Sequence, residues 1–197
     1  MSIGIIGCKG AMGVRYQTIC SYLGIPWLGF DVDNFKDLEC YADSLDSFLI
    51  ATPSESHLGN IFELSRFQKP MLVEKPVVTS QDGLDQLLKM DIHVRMVNQY
   101  EFLLEGYSTG DSYYNYFNSG KDGVLDFINI IGLSHMPPSL RHDSPIWKCQ
   151  INGQQLNIRS MDHAYCDMIS SWHKNPTPNM EYIEKAHTRV FEGFYVG

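Results

Sequence analysis

The first hundred residues alternate short apolar runs with amphipathic stretches. Ile3 to Gly7 is apolar throughout, the pattern of a strand buried on both faces. The period then lengthens, and Met12 to Leu23 reads as a helix that Pro26 keeps from continuing. Trp27-Leu28-Gly29-Phe30-Asp31 reads as a second strand and Phe48 to Thr52 as a third, ended by Pro53. Between them, 32–47 is short and polar, too short for a full strand-helix-strand crossover. A helix is predicted from His57 to Arg66 and a strand over Pro70-Met71-Leu72-Val73-Glu74. Ser80 caps a helix that runs through Lys89, and Ile92 to Tyr100 alternates as a further strand. Strands alternating with helices predict an α/β fold with a doubly wound parallel sheet.

The second half has a different rhythm. Residues 107–120 are aromatic and turn-rich, Gly123 to Leu133 reads as a short buried helix, and Pro137, Pro138 and Pro145 mark a long loop. Trp147 to Ile151 and Gln154 to Ile158 flank Asn152-Gly153, a hairpin signal because Asn-Gly suits a tight primed turn. Ser160 to His173 is amphipathic, with Met161, Tyr165, Met168, Ile169 and Trp172 on one face, and a last helix is expected from Met180 to Phe191. The chain thus divides into a domain over 1–99 and a small α+β domain over 100–197, whose last helix is free to pack back on the first domain.

Composition narrows the function. The 197 residues carry 15 Lys and Arg against 23 Asp and Glu, a net charge of −8. That excludes a broad electrostatic grip on nucleic acid or anionic lipid. No apolar run reaches the length of about 18 residues that a membrane-spanning helix needs. The N-terminal MSIGIIGCKGAMG reads as a first strand rather than a signal peptide. Five scattered cysteines without a Cys-x-x-Cys pair point to a reducing cytoplasm, with no disulfide framework or zinc site. Seven histidines show no metal-ligand spacing, so no metal is expected, and no Gly-x-Ser-x-Gly is present.

The candidate chemistry begins at Gly7-Cys8-Lys9-Gly10-Ala11-Met12-Gly13, which joins the first strand to the first helix with a Gly-x-x-Gly-x-x-Gly spacing. This is a variant of the dinucleotide fingerprint, in which glycines allow a tight turn and close approach of a pyrophosphate to the helix N-terminus. Asp31 ends the second strand, near the offset expected of an acid that binds a ribose diol. A carboxylate there repels a 2′-phosphate, so NAD is favoured over NADP. Asp33 competes with Asp31 for that role, and Arg15 is placed to reach a phosphate. The plain alternative is that the glycines only connect strand to helix and Asp31 only caps a loop.

Two further stretches add to this. The third strand leads into Ala51-Thr52-Pro53-Ser54-Glu55-Ser56-His57, and the fourth ends in Val73-Glu74-Lys75-Pro76. This Thr-Pro-x-x-x-His followed by Glu-Lys-Pro, behind the glycine turn, resembles the glucose-fructose oxidoreductase and inositol dehydrogenase family (Gfo/Idh/MocA) over roughly residues 1–100. The resemblance implies an N-terminal Rossmann-like domain, an α+β second domain with an open sheet and a nicotinamide lying between them. It implies that Gly7, Gly10 and Gly13, with Lys9, Ala11 and Met12 in the same turn, face the pyrophosphate, and that Asp31 faces the adenosine ribose. Thr52, Pro53 and His57 then line the nicotinamide half, Glu74 supports them or touches a ribose, and Lys75 holds the substrate hydroxyl or relays its proton. A strand-end lysine beside Pro76, partly desolvated, suits a proton relay, and a cis Lys75–Pro76 bond would fix its direction.

The sequence also departs from the family. It is shorter than typical members, so it reads as a reduced one. Many members carry an Asp and a His four apart on a second-domain helix. Gly123-Val124-Leu125-Asp126 resembles the start of that element, but four residues beyond Asp126 stands Ile130, which carries no proton. His135 lies nearby, and His163 stands four residues before Asp167 on a later helix, as a repositioned pair or a surface ion pair. Lys75, Asp126, His135 and His163 are therefore the candidate catalytic groups. The tyrosines around 107–117 and Arg141-His142-Asp143 are weaker candidates for substrate contacts. The expected function is an NAD(P)-dependent oxidoreductase for a small polar, possibly sugar-like metabolite, working as a homo-dimer or higher homo-oligomer. The rival is a nucleotide-binding regulatory module without turnover.

Overall fold

The computed structural model of the chain describes residues 1–99, 102, 115–116, 140–141, 149–151, 154–156, 162–191 and 195–196. The chain forms two compact units, Met1–Val97 with Ile169–Ile183, and Asn98–Met168 with Glu184–Gly197.

The first unit is built on a parallel sheet of β1 (Ile3–Ile6), β2 (Trp27–Phe30), β3 (Ser47–Ile50), β4 (Met71–Val73) and β5 (Val94–Met96). Its order is β2-β1-β3-β4-β5. Every neighbouring pair is parallel, with Ile3 opposite both Trp27 and Ser47. β1, β3 and β4 are buried at every position, as strands made almost wholly of apolar residues require. Ile5, Phe48, Leu49, Ile50, Leu72 and Val73 have no exposed surface. Helices α1 (Ala11–Tyr22), α3 (Ser54–Ser65) and α4 (Gln81–Leu87) connect successive strands. Ser80 caps α4 by accepting the Gly83 amide at 3.1 Å, as its position in the sequence predicts.

The segment between β2 and β3 departs from its polar appearance. It makes a complete crossover, because β3 pairs with β1 on the side opposite to β2. Two 3₁₀ turns, Phe35–Asp37 and Ala42–Ser44, flank a single α-turn, α2 (Leu38–Tyr41). Leu38, Ala42 and Leu45 are buried at helical spacing and give this short path an apolar stripe to lay on the sheet.

Two boundaries also differ. α3 begins at Ser54 rather than His57, because Pro53, with φ −56° and ψ 144°, already supplies the extended residue that precedes a helix. β5 is shorter than the alternation over 92–100 suggests. Its outer edge is closed by a later segment: Asn179 accepts the Met96 amide at 3.0 Å and donates its own to the Val94 carbonyl at 3.1 Å. That segment joins α5 (Asp162–Lys174) to α6 (Met180–Phe191), and Ile169, Trp172 and Ile183 bury the first unit's share of it. Covering the edge removes a template for unwanted strand pairing.

In the second unit β6 (Asn115–Tyr116), β8 (Cys149–Ile151) and β9 (Gln154–Leu156) form an antiparallel sheet, and β7 (Leu140–Arg141) pairs with β10 (Tyr195–Val196). Ile151 stands opposite Gln154, the tight hairpin that Asn152-Gly153 predicts. The expected helix over Gly123 to Leu133 and the proline-marked loop lie outside the described residues, apart from Leu140 and Arg141. Among the described residues, no helix is long and apolar enough to cross a membrane.

Candidate functional site

The turn after β1 is shaped by its glycines. Gly7 has φ +81°, and a Cβ on it would stand 2.8 Å from the Ala51 carbonyl oxygen and the Thr52 nitrogen. Only glycine meets both conditions. A Cβ on Gly13 would stand 2.1 Å from the Gly7 oxygen, so the missing side chain lets α1 lie directly on the turn. Gly10 differs. It is exposed, its φ is an ordinary −71°, and a Cβ there would meet the Gly7 oxygen at 3.4 Å, a normal contact. The fold does not require glycine at position 10.

The amides of the turn are largely engaged from within. Gly7 and Cys8 donate to the Phe30 carbonyl at 2.8 and 3.2 Å, and Gly10 donates to Gly7 at 3.1 Å. The Lys9 amide donates to Asp31 Oδ2 at 2.9 Å, and the Gln17 side-chain amide donates to the Cys8 carbonyl. A pyrophosphate cradled by the whole turn is therefore replaced by a narrower arrangement. The amides of Ala11, Met12 and Gly13 open α1 and have no acceptor within the helix. No side chain caps this end, and its first turn holds no acidic residue. Such a helix start attracts an anion.

Above the turn lies a cleft of about 690 Å³. Ile6, Gly7 and Ala51 form its floor; Lys9, Gly10, Asp31, Val32 and Phe35 line one side. Thr52, Pro53 and the α3 residues Ser56, Asn60 and Glu63 line the other. The cleft opens at the carboxyl ends of β1, β2 and β3. There the chain leaves β1 toward β2 on one side while β3 lies on the other, the switch point at which open α/β sheets bind ligands.

Asp31 is half-buried and fixed: Oδ1 accepts the Val32 amide at 2.9 Å, and Asn34 Oδ1 accepts the Asp31 amide at 2.7 Å. It anchors the glycine turn to the end of β2, a task its sequence position does not announce. Beside it, Lys9 Nζ lies 2.6 Å from Asp33 Oδ2. This hydrogen bond is the main reason that the Lys9 pKa is raised and the Asp33 pKa lowered. The Cys8 thiol is pushed up first by burial and then by the Asp31 charge.

The remaining candidates among the described residues do not line this cleft. Gly13 is packed behind the turn and does not line the cleft. His57 is 1 % exposed, with Nδ1 2.7 Å from the Pro76 carbonyl oxygen and Nε2 2.8 Å from that of Thr52. It ties the turn after β3 to the turn after β4 rather than facing the cleft. Glu74 is also buried, accepting the Tyr16 hydroxyl on Oε1 and the Lys75 amide on Oε2 at 3.2 Å. Neither acid-base neighbour is a wall of the cleft. Lys75 follows β4 on the same carboxyl edge, half-buried, with a cis peptide to Pro76, and it does not line this cleft either. His163 is exposed on α5, as is Asp167. Asp126 and His135 lie outside the described residues.

The sequence reading missed Ser56, Asn60 and Glu63, although their spacing of four and three marks one helix face. Asn60 Nδ2 donates to Thr52 Oγ1 at 2.8 Å and joins this face to the Thr-Pro turn. It also missed Val32 and Phe35, which give the cleft an apolar side, and Tyr16, whose partner is distant in sequence.

No family model matches the chain, and no curated protein matches it in sequence. Solved structures do. The WlbA (WbpB) dehydrogenase from Thermus thermophilus, in complex with NAD and UDP-GlcNAcA, matches all of this chain and 95% of its own, with TM-score 0.65 and 12% identity. A dehydrogenase (MviM) from Clostridium difficile matches over 96% of this chain and 97% of its own, with TM-score 0.61 and 12% identity. An oxidoreductase from Thermotoga maritima matches over 96% and 93%, with TM-score 0.58 and 12% identity. At these identities the likeness is one of fold. The chain, whose glycine, Thr-Pro and Glu-Lys-Pro turns already resemble that family, has the fold of the Gfo/Idh/MocA-type dehydrogenases.

Proposed function

We propose that the chain is an NAD(P)-dependent oxidoreductase of the Gfo/Idh/MocA type, acting on a small polar, sugar-like metabolite. The observation that carries this reading is the cleft at the sheet's switch point. An uncapped helix start, a fixed carboxylate at the end of β2 and a glycine that the fold itself does not need line or border one space. Its volume suits part of a large cofactor. The residues fit the parts of a dinucleotide. The first amides of α1 donate to the diphosphate, exposed Gly10 lets it approach, Asp31 accepts from the ribose diol, and Val32 and Phe35 offer an apolar surface to a purine. The carboxylates of Asp31 and Asp33 favour NAD over NADP.

When bound, the nicotinamide supplies the hydride chemistry. The chain's own residues position it and handle the proton. Lys75 holds the substrate oxygen or moves its proton. Buried Glu74 and His57 fix the turn that carries Lys75. The sugar-like substrate class is supported by the fold shared with WlbA, which was crystallised with UDP-GlcNAcA. A second reading, a nucleotide-binding module without turnover, is favoured by Ile130, which stands where many family members have a proton-carrying histidine.

Fluorescence titration with NADH, followed by turnover on a panel of nucleotide sugars and polyols, tests both readings. Saturable NADH binding is expected, with turnover that falls about 100-fold or more in Lys75→Ala. Binding without turnover on any substrate supports the regulatory module. Absence of binding of either dinucleotide at about millimolar concentration, where even weak complexes form, overturns the nucleotide reading.

A further inference from the structure

The two carboxylates at the end of β2 do different work. Asp31 accepts backbone amides with both oxygens, from Lys9 and from Val32. Asp33 instead holds a side chain, with its Oδ2 2.6 Å from Lys9 Nζ. Lys9 is thus fixed at both ends, its amide on Asp31 and its ammonium on Asp33. Among the described residues that line the cleft, Lys9 is the one cation. Its side chain is 65% exposed and that of Asp33 59%, so the pair stands at the rim in water rather than in the core.

We propose that Asp33 is a specificity-determining residue of this cleft. By holding the Lys9 ammonium, it withholds the rim's cation from the adenosine ribose and so selects a dinucleotide with a free 2′-hydroxyl over one with a 2′-phosphate. This rests on the nucleotide reading above. A 2′-phosphate brings close to two negative charges beside Asp31 and Asp33, and a nearby cation is what commonly accommodates it. Lys9 is placed to be that cation but is already engaged. The mutual hydrogen bond raises the pKa of Lys9 and lowers that of Asp33, so both stay charged through the neutral range. An exposed pair contributes little to folding. Breaking it therefore changes the charge at the rim without dismantling the turn, whereas replacing Asp31 would release the Lys9 amide as well.

The test is fluorescence titration of the intact chain with NADH and NADPH, for the wild type, Asp33→Asn, Asp33→Ser, Lys9→Met and the double variant Asp33→Asn with Lys9→Met. The affinity for NADPH relative to NADH is expected to rise about three- to fivefold in both Asp33 variants. In the double variant most of that gain disappears, because the released cation is gone. An unchanged ratio in Asp33→Asn and Asp33→Ser overturns the assignment. So does a gain that survives in full without Lys9, since it would come from removing a negative charge alone. A wild type that binds NADH while the ratio stays fixed removes this inference and leaves the nucleotide reading standing; a wild type that binds neither removes both.

Discussion

A methyl group added at Gly10 would stand 3.4 Å from the Gly7 carbonyl oxygen, and the same group at Gly13 would stand 2.1 Å from it. One glycine motif therefore holds residues of different purpose. Gly13→Ala is expected to destabilise the fold by about 2–4 kcal/mol, because backbone atoms rather than a flexible side chain must move. Gly10→Ala is expected to change stability by less than about 1 kcal/mol, the ordinary cost of alanine at an N-cap. On the nucleotide reading it weakens NADH binding about tenfold by denying close backbone approach. Urea unfolding and NADH titration on the two variants check this; equal stability losses would refute it. The spacing of the glycines is plain in the sequence. Which of them the packing of α1 requires and which it leaves free depends on how closely α1 approaches the turn, and no single residue reports that.

At the scale of elements, the turn after β4 is held from two sides. Tyr16 reaches it from α1 through Glu74, and His57 reaches it from α3 through the Pro76 carbonyl. Tyr16→Phe removes the hydroxyl that Glu74 accepts in a buried site, and is expected to cost about 1–3 kcal/mol. His57→Leu removes the ring N–H that the Pro76 or the Thr52 carbonyl oxygen accepts in a buried site, and a loss of about 1–3 kcal/mol is expected. Urea midpoints measure both, and a midpoint like the wild type's in either variant contradicts that residue's share in holding the turn. The Thr-Pro-x-x-x-His and Glu-Lys-Pro motifs are legible along the chain and mark these turns as related. The direction of the His57 ring is not. A histidine at the fourth position of α3 faces the cleft or the next turn according to how the helix is seated, and Pro53 starts that helix three residues earlier than the apolar pattern suggests.

For the whole molecule, the first unit is completed by residues far along the chain. The end of α5 brings His173 to the region of Met1 and Asp46, with its Nδ1 buried and, among the described residues, unpaired by any hydrogen bond. Burial first, and then the N-terminal ammonium, lower its pKa, while Asp46 acts in the opposite direction. A folded-state pKa below the unfolded value of about 6.5 means that the unfolded chain takes up the proton first. Stability from this group is thus complete above the unfolded value and is lost as pH falls toward and through the folded one. Urea midpoints between about pH 7.5 and 5 are expected to decline, and to decline less in His173→Gln. Parallel profiles for the two proteins would show that His173 plays no part.

The sequence by itself determined the strand and helix order of the first unit, the glycine turn, the acid at the end of β2, the Asn-Gly hairpin and the two C-terminal helices. Each of these is written in local periodicity or turn chemistry, which needs only neighbouring residues. The tertiary structure decided the crossover hidden in 31–46, the edge of β5 closed by Asn179, the engagement of Lys9 at both ends and the inward turn of His57 and Glu74. Those features depend on groups brought together from distant parts of the chain, where packing and hydrogen-bond satisfaction rather than spacing choose the partner.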